Sequence, residues 1–418
     1  MSSLKTYINN LFEPIRPLKP GMFHYISPPE NPRNYRLHLR LEEDFTGILI
    51  VNGSIILHLN QTASEYAYCL VLGKNADQAG KYIAGRYNLE KAAARQAFLD
   101  FTERIDRLLN TPDLDPVTFL GFDRKKPFQG TISAPYRLDC ALTYRLPESS
   151  VVGAQPSQVL PAPAGSGQSE AAHADANQAQ ATPNVAGQAE AAPVERIRRE
   201  LSTQEWKTVF DRAWKAGIPH LIFTGGEPTL RDDLTELISH AEANGQITGL
   251  LTDGLRLADN AYLDSLLKTG LDHILMVLRP EIPASWTAVD NILSGDIFLA
   301  VHLTVLEGNL AEVKALMTKL CEIGLKAVSL SANDPELKED LLQARKHAAT
   351  LQLELVWNLP VPYSILHPVW MELGNPPVEA VGKAWLYVEP DGDVLPGQGV
   401  VQVLGNLLTD PWEKIWKP

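Results

Sequence analysis

The sequence predicts an α/β protein: a partial barrel of parallel strands, preceded by a small winged-helix-like α+β module and followed by a short tail of turns and strands. Three observations predict it. Beyond residue 200, short apolar runs alternate with amphipathic stretches, and alternating β and α units build parallel sheets with helices outside. Before residue 112, two strand-like runs meet at Asn52-Gly53, a strong hairpin signal, and three helical stretches follow. From about Ser149 to Pro193 the chain is Ala, Gln, Pro, Gly and Ser with almost no large apolar residue. Such a composition cannot offset its ordering entropy, so this segment is expected to be a disordered insert.

The elements follow in order. Phe45 to Val51 and Ser54 to Leu59 are the two runs around Asn52-Gly53. Helices are expected near Thr62–Leu72, Asp77–Tyr87 and Leu89–Leu109, the last with Phe98, Phe101, Ile105 and Leu108 at helical spacing. Barrel strands are expected at Leu138–Tyr144, His220–Thr224, Ile247–Thr252, His273–Leu278, Ile297–Leu306, Ala327–Ser331 and Leu353–Trp357. Helices near Thr203–Lys215, Asp232–Ala243, Asn260–Lys268, Leu310–Ile323 and Pro335–Ala349 separate them. In the tail, Pro390-Asp391-Gly392 reads as a tight turn between short strands. Function is expected at the C-terminal ends of the barrel strands.

The 418 residues include 45% apolar and 21% charged side chains, enough for a sizeable core and two or three domains. A net charge of -13 argues against a nucleic-acid partner and against anionic lipid. The third helix of the first module sets Glu90, Asp100, Glu103 and Asp106 against Lys91, Arg95, Arg104 and Arg107, a balanced face and not a DNA-reading head. No apolar run is long enough to span a membrane, and the first residues lack a signal-like pattern, so a cytoplasmic protein is expected. Cys69, Cys140 and Cys321 are far apart and form no CxxC pair; they read as small buried hydrophobes.

The sharpest local signal is Thr224-Gly225-Gly226-Glu227-Pro228-Thr229-Leu230, after an apolar strand and before a helix. Paired glycines let a backbone approach closely, Pro228 suits a first helical turn, and Glu227 can accept from an ammonium. The plain alternative is an ordinary βα turn. Gly225-Gly226-Glu227-Pro228 resembles the GGEP motif of radical S-adenosylmethionine (SAM) enzymes, and Leu251-Thr252-Asp253-Gly254 stands where that family usually shows Thr-Asn-Gly. The resemblance implies a partial (β/α)6 barrel over about residues 131–360, with Gly225, Gly226, Glu227, Pro228, Thr252 and Asp253 as SAM contacts.

Residues 36–112 resemble a PqqD-like peptide-recognition domain after an extension over 1–35, and 361–418 resemble a SPASM-type tail. The order resembles maturases of ribosomally made peptides, which implies a leader peptide added as a strand along Ser54, Ile55, Ile56, Leu57, His58 and Leu59. The departure lies in the cluster loop. Where the family has CxxxCxxC, this chain reads Leu146-Pro147-Glu148-Ser149-Ser150, and where the tail usually has Pro-Cys it has Pro396-Gly397. No 4Fe-4S cluster, no catalytic residue and no metal site are therefore expected, and SAM binding should be weak. The resulting expectation is a peptide-binding protein or partner of a cysteine-complete maturase. A SAM-binding enzyme with non-radical chemistry is the alternative, with His273, His302 and His367 as candidates by residue type alone; a winged-helix regulator is the third.

Overall fold

The computed structural model describes residues 18–27, 36–51, 55–87, 89–110, 132–147, 199–332, 334–356, 382–398, 400 and 402–417. The Ala/Gln/Pro-rich segment 149–193 and His367 lie outside them, as do Asn52, Gly53 and Ser54.

The first module is a four-stranded antiparallel sheet in the order β1-β2-β3-β4, formed by β1 (Gly21–Ile26), β2 (Arg36–Leu41), β3 (Gly47–Val51) and β4 (Ile55–Leu59). Three helices follow: α1 (Gln61–Val71), capped by the Asn60 side chain, α2 (Ala76–Tyr87) and α3 (Lys91–Asn110). Neither β1 nor β2 is among the strands expected from the sequence. Residues 21–26 belong to the segment read as an extension, yet they pair along their length with β2. Strand β2 does carry the alternation of a strand, Arg36-Leu37-His38-Leu39-Arg40-Leu41, a signal the expectation left unused, whereas β1 shows no clean alternation. Leu37, Leu39, Leu49 and Val51 pack with the helices, whereas Ile48 and Ile50 join the core of the barrel.

The barrel strands are β5 (Arg137–Thr143), β6 (His220–Gly225), β7 (Ile247–Thr252), β8 (His273–Val277), β9 (Phe298–Val305), β10 (Ala327–Ala332) and β11 (Glu354–Leu355), all parallel and in chain order. Their outer faces meet α4 (Thr203–Lys215), α5 (Leu234–Asn244), α6 (Asn260–Leu267), α7 (Pro283–Leu293), α8 (Leu310–Glu322) and α9 (Lys338–Thr350). A full capping box at Ser202 and Glu205 starts α4, and Gly245 in the left-handed conformation ends α5. Helix α7 was missed: its start is a proline in the first turn with no side-chain cap, a weaker signal than Ser202 or Asp259 gives. The inner face collects Ile222, Leu251, Leu275, Ala300, Ala327 and Val356, as a sheet curling on itself requires.

The tail is joined to the barrel sheet. Strand β12 (Trp385–Val388) runs parallel to β5, and β13 (Asp393–Leu395) and β14 (Gly405–Asn406) extend the sheet antiparallel; α10 (Trp412–Ile415) follows. The expected turn at Pro390-Asp391-Gly392 is the β12–β13 hairpin, closed by Gly392 N–H to Glu389 O at 2.8 Å. Among the described residues, no helix is long and apolar enough to cross a membrane.

The first module covers the end of the barrel where the strands begin. Arg40 donates to the carbonyls of Pro135 (3.2 Å) and Gly217 (3.3 Å), just ahead of β5 and β6. Arg36 pairs with Glu242 (3.0 Å) and Asp272 (2.7 Å), just ahead of β7 and β8. The glycine turn after β6 is at the opposite end.

Candidate functional site

Two consecutive glycines end β6 because another backbone passes against them. Gly225 has φ 125°, and a Cβ there would lie 2.1 Å from the carbonyl oxygen of Thr143. At Gly226 a Cβ would lie 2.2 Å from the Arg145 carbonyl oxygen. The approach is bonded: Gly226 N–H donates to Thr143 O (2.7 Å) and Glu227 N–H to Arg145 O (2.9 Å). The turn thereby fixes the segment leaving β5, from which the family's cluster loop would spring. Pro228 then opens a short 3-10 turn, Pro228–Leu230.

Glu227 is 3% exposed and is the hub of the strand ends. Its Oε1 accepts from Thr229 N (3.0 Å), Thr229 Oγ1 (2.6 Å) and Thr252 Oγ1 (2.8 Å), and its Oε2 from Asp253 N (2.8 Å). Burial, and then the neighbouring Asp253 carboxylate, push its pKa up to about 7. Asp253 is 6% exposed; its Oδ1 accepts from Leu255 N (3.0 Å). Its Oδ2 has no hydrogen-bond partner and stands 3.7 Å from the Arg279 guanidinium beyond β8. The structure thus brings together Gly225, Gly226, Glu227, Pro228, Thr252 and Asp253, residues spread over two βα turns.

The cysteines do not converge. Cys140 is buried in the outer apolar layer with Trp206 and Phe210 of α4, with Asp139 and Ala141 on the opposite face of β5. Burial, and secondarily Asp139, raise its thiol well above the usual range, away from thiolate chemistry. Cys69 lies in the core of the first module, and Cys321 is on α8, with its thiol directed at Leu351 O (3.6 Å). Three thiolates on one loop are what a radical SAM cluster needs. The thiols of this chain do not fit that group.

Two further groups face the barrel interior. Near the strand starts, the rings of His220 and His273 meet edge to face at 5.1 Å, both buried, with Nε2 of His220 and both ring nitrogens of His273 unpartnered. Burial keeps both neutral, His273 down to about 3. Higher up, His302 lies between Ser329 Oγ (3.0 Å from Nδ1) and Ser331 Oγ (3.1 Å from Nε2). Sequence reading singled out His302 only by type. The available signal was the i, i+2 placement of Ser329 and Ser331 on a buried strand, where hydroxyls need a partner.

In the first module, β4 is an edge of the sheet, and its described side chains alternate: Leu57 and Leu59 buried, His58 exposed and 6.0 Å from the Tyr136 ring. The faces of Ser54, Ile55 and Ile56 lie outside the described side chains.

Residues 182–278 match the model of the radical SAM superfamily. With the parallel sheet and the glycine turn at its strand ends, that match makes the chain similar to radical SAM proteins. The chain is similar to peptide-modifying relatives. It is 26% identical to the PqqA peptide cyclase of Streptomyces rochei over 262 residues, covering 54% of this chain and 70% of that protein. It is 43% identical to the PqqA peptide cyclase of Rhizobium meliloti (strain 1021) over 90 residues, which span only 24% of that relative. The fold is similar to crystal structures of Streptococcus suis SuiB bound to S-adenosylmethionine (13% identity) and to its precursor peptide SuiA (12% identity). Each superposes with a TM-score of 0.52 over 94% of this chain and 88% of SuiB.

Proposed function

We propose that this chain handles a peptide in maturation without assembling a cluster of its own, as a peptide-binding member of the family or the partner of a cysteine-complete maturase. The observation that carries this reading is the dispersal of Cys69, Cys140 and Cys321 into three separate packing environments. Without three converging thiolates, no electron reaches SAM, and radical chemistry is not available to the chain alone.

The peptide reading rests on the edge strand β4 of a PqqD-like domain, with a peptide expected to add as a strand along Ser54, Ile55, Ile56, Leu57, His58 and Leu59. The module's seat on the strand-start end sets a length requirement. A barrel strand of about six residues at ~3.3 Å each separates the two ends by about 20 Å. A peptide anchored on β4 therefore needs at least about six extended residues before any residue reaches the glycine turn.

SAM binding is the second part of the reading. Gly225, Gly226, Glu227, Pro228, Thr252 and Asp253 would face its amino-acid portion, and when bound it would supply an activated methyl or adenosyl group. Lacking the anchors an open iron provides, affinity should be weaker than about 10 μM, or about 7 kcal/mol of binding free energy. An enzyme acting on SAM without radicals is a further reading, favoured by the hydrogen-bonded Ser329–His302–Ser331 array, whose spacing suits proton transfer.

Two experiments test the proposal on the full chain. Anaerobic reconstitution with iron and sulfide should leave a colourless protein without stoichiometric iron; a four-iron cluster lost on Cys140→Ala would overturn the reading. A fluorescent copy of the peptide encoded by any short reading frame beside the gene should bind at micromolar affinity. Ile56→Pro should abolish that binding, read after circular dichroism has checked that the module still folds, because proline removes a ladder donor. DNA binding with steep salt dependence and no peptide binding would favour the regulator instead.

A further inference from the structure

We infer that Asp253, and not Glu227, is the residue that takes the ammonium of an amino-acid-type ligand at the strand ends. The inference rests on the SAM-binding part of the proposed function and assigns its decisive contact.

An ionised carboxylate offers about four hydrogen-bond acceptor sites. Glu227 holds four donors of the chain itself, Thr229 N, Thr229 Oγ1 and Thr252 Oγ1 on Oε1 and Asp253 N on Oε2, which leaves at most one acceptor site, on Oε2. These bonds tie β6 to β7, so Glu227 cannot turn toward a ligand without releasing both strand ends. Asp253 is differently placed. Its Oδ1 is held by Leu255 N, which fixes the side chain, and its Oδ2 is buried without a donor. The guanidinium of Arg279 faces that oxygen from 3.7 Å, outside hydrogen-bond range. A buried carboxylate oxygen in this state is costly unless a donor reaches it. An α-ammonium carries three donors and a charge of the required sign.

A neutral amide at position 253 could accept a hydrogen bond but would not attract the charge of an ammonium.

The test is calorimetric titration of the full chain at pH 7.5 with three probes: SAM, S-adenosylhomocysteine and methylthioadenosine, which lacks the amino-acid portion. The wild type should bind the first two about tenfold more tightly than the third. Asp253→Asn should remove that preference and leave methylthioadenosine binding unchanged. Arg279→Gln, which takes away the competing cation, should tighten SAM and S-adenosylhomocysteine and not methylthioadenosine; it decides the matter if Asp253→Asn fails to fold. Equal SAM affinity in wild type and Asp253→Asn, or no change with Arg279→Gln, overturns the inference and leaves the SAM reading standing. A wild-type chain that binds none of the three overturns both.

Discussion

Gly226→Ala separates two reasons for a glycine at the strand ends: packing of one backbone on another, or room for a ligand. The added methyl would lie 2.2 Å from the Arg145 carbonyl oxygen, 2.8 Å from the Tyr144 carbonyl carbon and 2.9 Å from that of Arg145. All three are backbone atoms, so relief requires the segment after β5 to move by about 1 Å. Overpacking of this kind costs about 1–3 kcal/mol. Displacing the segment also weakens the hydrogen bonds from Gly226 N–H and Glu227 N–H, at about 1 kcal/mol each. The sum is about 3 kcal/mol, or a fall of roughly 6–12 °C in melting temperature for a domain of barrel size. Gly85→Ala is the control. It sits in α2 with nothing within 4 Å of the added methyl, and there alanine should stabilise by about 0.5–1 kcal/mol. Differential scanning fluorimetry of both variants, without ligand, reads the difference. If Gly226→Ala melts with the wild type yet loses SAM binding, the close backbone approach is not what holds the glycine there, and the packing argument fails.

Two other outcomes follow from the geometry. Glu227 has a folded-state pKa of about 7 against an ordinary value near 4.5, so its contribution to stability is full below about pH 4.5 and is lost as pH rises through 7. The melting temperature of the wild type relative to Glu227→Gln should therefore decline across that window, and a flat or rising difference would contradict the burial of the carboxylate. Arg36→Met leaves Glu242 and Asp272 without the guanidinium that joins them to the first module; because Arg36 is partly exposed, the loss should be about 2–3 kcal/mol by urea unfolding. A loss below 0.5 kcal/mol, within the noise expected of ordinary surface changes, would mean that the other contacts, Ile48, Ile50 and Arg40 among them, hold the module without it.

The sequence is legible where local signals suffice. The bounds of β7 and α4 coincide with their sequence expectation, since an apolar run between turn residues and a Ser-x-x-Glu capping box are read without knowledge of neighbours. The glycine turn was legible for the same reason, and so was the missing cysteine loop, because both are short stretches of consecutive residues. Strands β1 and β2 and helix α7 were not expected: β1 lacks a clean alternation, α7 begins without a side-chain cap, and the alternation of Arg36 to Leu41 in β2 was a usable signal left unread. The site was half legible. Residues 225–228 and 252–253 could be named, but not their relation to one another.

What the sequence by itself determined is the alternation of strands and helices, the two glycines at the end of β6, and the impossibility of a three-thiolate loop after β5. Each depends on residues close together or on residue types that are absent. What only the tertiary structure decided is which group each of these meets. It turned Cys140 into the helix layer, seated the first module on the strand-start end, held Glu227 by donors from Thr229, Thr252 and Asp253, and left Oδ2 of Asp253 facing Arg279. Those contacts join residues tens to more than a hundred positions apart, and their geometry is fixed by packing three elements at once, which no local pattern of side chains encodes.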